Sequence, residues 1–215
     1  FLPIQTFLGD IDNDMIGFYF INSNKTYDFY FSLLIDEWSP SYTFKKRNKN
    51  WAVYQLGVSK EITPNDIVVA EYTYSDNRVF RHRFEVNDYY SYGYPVGFWA
   101  GPHSDNLFVK YTQDLEKLFF SVGYNKTRRG DVDGISRGKY NGVYIKQFSG
   151  SVEQKEVFHF EIGLNLYNKK IQLLGGYKFI DWKNPMDSSF SGYPHLVKND
   201  IYFKINYNFK EYSIK

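Results

Sequence analysis

The chain has 215 residues, 21% of them aromatic, with 21 tyrosines and 20 phenylalanines against a negative mean hydropathy. It has no cysteine and a net charge of only +2, which exclude disulfides, thiolate metal centres and an electrostatic case for nucleic acid. The length suits one large domain or a small pair, read here as a single domain over 1–215, and the lack of cysteine suits passage through an oxidising periplasm.

No apolar run approaches the roughly 20 residues of a transmembrane helix. A membrane barrel stays open, because each of its strands carries a much weaker signal. There is no initiating methionine and no signal peptide; Phe1-Leu2-Pro3 reads as the interior of a longer chain or a processed form.

In chain order, the first predicted strand is Met15 to Ile21, with Ile16, Phe18 and Phe20 on one face. After a short turn at Asn22–Lys25, the second sets Tyr27, Phe29, Phe31, Leu33 and Ile35 against Asp28, Tyr30, Ser32, Leu34 and Asp36. Alternation with period two over this length is a strand, since a helix needs 3.6. A polar link, Ser39 to Asn50, leads to the third strand, built on Ala52, Tyr54, Leu56 and Val58. A short turn at Ile62–Asp66 leads to the fourth, on Val68, Ala70, Tyr72 and Tyr74.

A long excursion from about Ser75 to Ser104 follows. Its centre, Gly93 to Asp105, combines the spacing G-Y-P-V-G and a Gly-Pro pair with Tyr94, Phe98 and Trp99. Glycine and proline break ladders, while the aromatics need burial or a partner, so an ordered, packed loop is expected. The fifth strand is Asn106 to Thr112 and the sixth sets Leu118, Phe120, Val122 and Tyr124 on one face. A second excursion runs from Lys126 to about Glu153. The seventh strand, with Phe158, Phe160, Ile162, Leu164 and Leu166 on one face, is the clearest, and the eighth carries Ile171 to Phe179. A third excursion, Asp181 to Asn199, precedes the last strand, on Ile201, Phe203, Ile205, Tyr207 and Phe209.

Connections alternate short and long throughout. Outer-membrane barrels sort their loops in this way, with short periplasmic turns and long outer loops. A soluble sandwich has no reason to do so. The expected fold is therefore an all-β antiparallel transmembrane β-barrel with nine or ten strands in this chain, the tenth being Phe80 to Val86. Nine strands put the two ends of the chain on opposite sides of the membrane, whereas single-chain bacterial barrels have even strand numbers. Strands preceding Phe1 are thus expected, making this the C-terminal part of a larger barrel.

With these residues laid out, the chain resembles the capsule assembly protein Wzi family of outer-membrane barrels. The resemblance rests on Leu33-Leu34-Ile35-Asp36-Glu37-Trp38, on Glu71-Tyr72-Thr73 and the residues through His82, and most specifically on Gly93-Tyr94-Pro95-Val96-Gly97 followed by Gly101-Pro102-His103-Ser104-Asp105-Asn106-Leu107. Arg128-Arg129-Gly130 falls where the family tends to end a strand. It covers the chain from about Leu8 onward, corresponding to a member's C-terminal half. The chain ends Tyr212-Ser213-Ile214-Lys215, without the terminal aromatic common in such barrels. The resemblance implies an outer-membrane protein of a diderm bacterium that binds surface polysaccharide and helps attach capsule. Its partners would be membrane lipid, lipopolysaccharide, surface polysaccharide, and the missing strands or another envelope protein.

Each candidate site residue has two readings. Tyr94, Phe98 and Trp99 form either a sugar-stacking platform or a loop folded in as a plug. Arg81 and Arg83 either grip sugar carboxylates or neutralise lumen acids such as Glu71. Arg128 and Arg129 either meet lipopolysaccharide phosphates and anionic glycan or are exposed loop charges. His103 and Asp105 complete the candidate glycan set. Asp36 and Glu37 point to opposite faces of a strand, so they do not flank one bond as glycosidase carboxylates must. His82, His103, His159 and His195 are scattered, without metal-ligand spacing. No nucleophile elbow or phosphate loop is present, and no cofactor or enzymatic activity is expected. A porin-like channel lined by Glu71, Lys204 and Asn206, and a barrel tethering envelope layers, are the alternative functions.

Overall fold

The computed structural model describes residues 15–36, 50–81, 88, 90–91, 94–95, 97–131, 146–166, 170–186 and 194–207. Their strands are β1 (Met15–Ser23), β2 (Tyr27–Asp36), β3 (Trp51–Thr63), β4 (Asp66–Ser75), β5 (Tyr90–Ser91), β6 (Tyr94–Pro95), β7 (Ser104–Asp114), β8 (Leu118–Gly130), β9 (Val152–Leu166), β10 (Ile171–Lys183) and β11 (His195–Tyr207). There is no helix among the described residues. β5 and β6 form a small two-stranded ladder; the other nine form one sheet in the order β1-β2-β3-β4-β7-β8-β9-β10-β11. Every pairing in that sheet is antiparallel and follows chain order. β1 and β11 do not pair, so the sheet is open.

The nine predicted strands are all present; Phe209, expected at the end of the last, lies outside the described residues. No tenth strand enters the sheet between β4 and β7: Phe80 and Arg81 are not in a strand, and 82–87 lie outside the described residues. Several strands run further than their apolar alternation does. β8 continues to Gly130, β9 starts at Val152, β10 reaches Lys183 and β11 starts at His195. The backbone ladder there keeps its hydrogen bonds while both faces turn polar, so hydropathy stops marking the strand before pairing ends.

Register puts the apolar residues on one face. Across the sheet, Val109 lies opposite Tyr124, Tyr124 opposite Phe158 and Phe158 opposite Phe179. Phe120 lies opposite Ile162, and Leu173 between Leu164 and Ile205. The described chain leaves this apolar face uncovered. Ile201, Phe203 and Ile205 are 75%, 83% and 74% exposed, and Phe158, Ile162, Leu164, Phe18 and Phe20 are also exposed. Tyr19, Ile21 and Ile67 are exposed apolar side chains on the other, polar face.

On the polar face, side chains lie flat over glycines of the next strand. The Tyr30 ring covers Gly57 and its hydroxyl donates to Glu71, two strands away. At the other end of the sheet, Tyr202 covers Gly176 and donates to Glu161 at 2.7 Å. His159 covers Gly123 in the same manner. A glycine in a strand has no side chain to pack and marks such a close approach.

The small core sits at the end of the sheet where the longer connections lie. Val79 and Phe80, both 0% exposed, follow β4 and turn back over the polar face. They pack with Val53 against Met15, Leu34, Trp51 and Phe98. The buried carboxylate of Asp36 accepts the Phe80 amide at 2.7 Å, and Phe80 has φ of 66°. Asp76 holds the start of this segment by accepting the Ala52 amide at 3.0 Å and the Tyr74 hydroxyl at 3.2 Å.

Adjacent glycines test these joints. A Cβ on Gly176 would overlap the Tyr202 ring, whereas one on Gly175 would meet only the Phe203 ring at 3.6 Å. Gly176→Ala is expected to displace Tyr202 from Glu161 and cost about 1–3 kcal/mol. Gly175→Ala, on the opposite face, should stay within about 0.5 kcal/mol of the parent. Denaturant unfolding of the two variants under identical conditions checks the difference.

Candidate functional site

Of the candidate glycan residues, Asp105 lies on β7 and Arg128 and Arg129 on β8, at the long-connection end of the sheet, with His103 just before β7. These two strands pair so that Ser104 lies opposite Arg129 and Asp105 opposite Arg128. The same register runs unbroken to the far end of the pair, where Asp114 lies opposite Phe119.

Asp105 is almost fully buried and accepts from three directions. The Arg128 guanidinium grips it with both arms, Nε to Oδ1 at 3.0 Å and Nη2 to Oδ2, and the Tyr72 hydroxyl donates to Oδ2 at 3.2 Å. The same guanidinium lies over the Phe148 ring, 4.5 Å from its centroid. A planar fork suits both contacts, which an ammonium would not reproduce. On the other face, Arg129 Nε donates to Glu153 at 2.6 Å. Glu153 also accepts the Trp182 indole at 2.7 Å and the Met186 amide at 3.4 Å. Both arginines are therefore engaged with carboxylates and help to hold the loops together.

His103 joins three connections. Its amide donates to the Asp76 carbonyl at 3.0 Å, and its carbonyl accepts the Gly130 amide at 2.8 Å. Its Nε2 accepts the Phe148 amide at 2.5 Å, so Nδ1 carries the proton and donates to the Asp131 carbonyl at 3.0 Å. The imidazole covers Gly130 and stacks with Phe148, centroids 5.7 Å apart. The residue is 0% exposed and has φ of 56°. Burial pushes the His103 pKa below its ordinary value, which fits the neutral ring that these bonds require.

Trp99 is open to solvent, at 63% exposure, with Phe98 edge-on to it at 5.8 Å. Phe98 meets the core, so it anchors the segment that presents Trp99. Tyr94 lies in β6, where it pairs with Ser91. Arg81 follows the Phe80 turn and its amide donates to the Arg78 carbonyl at 3.3 Å. Arg83 lies outside the described residues, as do Glu37 and His82. The structure thus brings His103, Asp105 and Arg128 together around Phe148, puts Arg129 on the opposite face, and holds Trp99 apart. No group of metal-binding side chains occurs among the described residues.

Sequence reasoning missed Phe148, Glu153, Tyr72 and Asp76 as partners. Glu153 becomes visible only once β9 is extended back to Val152, opposite Gly130. Phe148 has φ of 60° in a connection without periodicity, so no pattern announces it. No protein-family model, curated protein or solved structure matches the chain.

The His103 bonds have a pH signature. The folded pKa is lowered, so the loop junction keeps its full stability above the ordinary histidine value of about 6.5 and loses it as pH falls through the folded pKa. As pH falls between the two values, amide exchange at Gly130 and Phe148 should accelerate by up to about tenfold per pH unit, relative to the intrinsic trend. His103→Gln should remove this dependence. Hydrogen exchange followed by mass spectrometry at several pH values checks it.

Proposed function

We propose that this chain forms part of the wall of an outer-membrane β-barrel resembling the Wzi family, which holds surface polysaccharide and assists capsule attachment. The observation that carries the reading is the uncovered apolar face of a nine-stranded antiparallel sheet whose connections alternate short and long. Soluble monomers rarely leave a contiguous apolar patch beyond a few hundred square ångströms. From Phe158 to Leu166 the apolar run rises ~27 Å along β9 at about 3.4 Å per residue. A strand tilt of about 40° reduces that to ~21 Å, close to the roughly 25 Å band of outer-membrane barrels.

An open sheet edge is not tolerated in lipid, so β1 and β11 need partners. With nine strands in sequential antiparallel order, β1 and β11 run in the same direction. Closing the sheet with antiparallel pairs only therefore takes an odd number of further strands. That supports membership of a larger barrel.

The glycan would meet the long-connection end, where Trp99 offers an open aromatic face on an anchored segment. Asp105, Arg128 and Arg129 then serve chiefly to hold that end in shape. A second reading, a porin-like channel, is favoured by the charged groups on the polar face, Glu71, Glu161 and Lys204 among them. Single-channel conductance separates the two, because a plugged adhesin does not conduct.

The absence of native cysteine allows single reporters to be introduced. In proteoliposomes, Phe160→Cys on the apolar face should resist a membrane-impermeant maleimide, while Lys178→Cys on the polar face should react. Equal labelling of both would dismiss the membrane reading. Separately, Trp99→Ala should weaken binding of purified capsular polysaccharide by about tenfold or more, measured by calorimetry.

A further inference from the structure

Charge is divided unevenly along the polar face. On β2, β3 and β4 that face carries Asp28, Glu61, Glu71 and the buried Asp36, and those strands put no lysine or arginine there; Arg78, from the connection after β4, lies over Trp51 at the long-connection end. On β7 to β11, cations gather. One register row runs from Lys110 through Gly123 and His159 to Lys178, and ends at Asp200. The next contains Ser121, Glu161, Gly176 and Tyr202. Because His159 lies across Gly123, its ring reaches toward the β7 side, and Lys110, Lys178, Lys204 and Glu161 all act on it electrostatically.

The carboxylates beside this group are already occupied. Glu161 accepts Tyr202 at 2.7 Å and Lys204 at 3.1 Å. Asp200 is paired with Lys198 at 2.9 Å, on its own strand. Lys178 and Lys204 lie over the Tyr202 ring, at 5.2 and 4.7 Å from its centroid. Neither Lys110 nor Lys178 forms an ion pair among the described residues. The hydroxyl of Ser121, 0% exposed and on the row beside them, has no hydrogen-bond partner there.

We infer that Lys110, His159 and Lys178 form an anion site on the polar face, taking a carboxylate or phosphate group of a ligand. Two ammonium groups without a bonded carboxylate flank an imidazole in a row, and Lys204 is held alongside by Glu161 and Tyr202. The acidic side chains Asp28, Glu61 and Glu71 of β2–β4 add direction, since an anion is repelled there and favoured here. This site is separate from Trp99 and rests on the reading of the polar face as the wet side.

The test uses the whole protein in detergent and titrates a uronic-acid trisaccharide, a neutral hexose trisaccharide and inorganic phosphate by calorimetry. Binding of either anion without the neutral sugar is expected, weakening as salt is raised. Uronate alone points to a glycan carboxylate as the source; phosphate alone points to a phosphate-bearing ligand. The double variant Lys110→Gln, Lys178→Gln should lower anion affinity by about tenfold or more. Lys110→Arg, Lys178→Arg should restore it, which separates lost charge from lost folding. Binding of the neutral sugar as tight as that of uronate, no anion binding, or an unchanged double glutamine variant would each overturn the site. Maleimide labelling of the apolar and polar faces is independent: protein that inserts but binds no anion retires this site and leaves the barrel reading intact.

Discussion

The structure depends on one constraint: a two-residue period kept in register across nine antiparallel strands. Because side chains alternate strictly, a slip by one residue would move every apolar group to the other face. Register from β1 to β11, shifted only between Glu61 and Thr63 near the β3–β4 turn, therefore sorts the chain into an apolar surface and a polar one. The apolar surface has no covering layer from the described chain, so the small core forms elsewhere, from Val53, Val79 and Phe80 at the long-connection end.

Sorting creates a problem on the polar face, where charged groups need partners and tyrosines need cover. Glycines solve both at once. Tyr30 over Gly57 and Tyr202 over Gly176 shield the bare backbone with a ring and bring the hydroxyl to a glutamate two strands away. His103 over Gly130 uses the same geometry at a loop junction, with backbone groups of Asp131 and Phe148 taking the place of the glutamate. A flat side chain over glycine thus links strands beyond the nearest-neighbour ladder.

The division of labour among charges follows from burial. Asp105 and Glu153 are nearly inaccessible, and arginines satisfy them. A buried carboxylate without such a partner is costly, so these arginines are structural first. Charges still open to a ligand lie further down the polar face, at Lys110 and Lys178, while the open aromatic surface lies at Trp99. On the proposed reading, recognition of sugar rings and of anionic groups is assigned to different places.

By itself the sequence determined the all-β class, the nine strands and the face each residue takes, because alternation is written residue by residue in stretches such as Phe158 to Leu166. It also marked Gly93–Asp105 as a packed segment; among its described residues Ala100, His103, Ser104 and Asp105 are buried, whereas Trp99 is open to solvent. Strand ends at β8, β9, β10 and β11 were not legible, since the ladder outlasts the hydropathy pattern. Nor were the partners of Asp105, Glu161 and His103 legible. Those partners come from different strands and connections, and only a register spanning the sheet brings them within hydrogen-bond distance. Tertiary structure decided which charges are spent on one another and which stay available, because that depends on spatial neighbours and burial that no local pattern encodes.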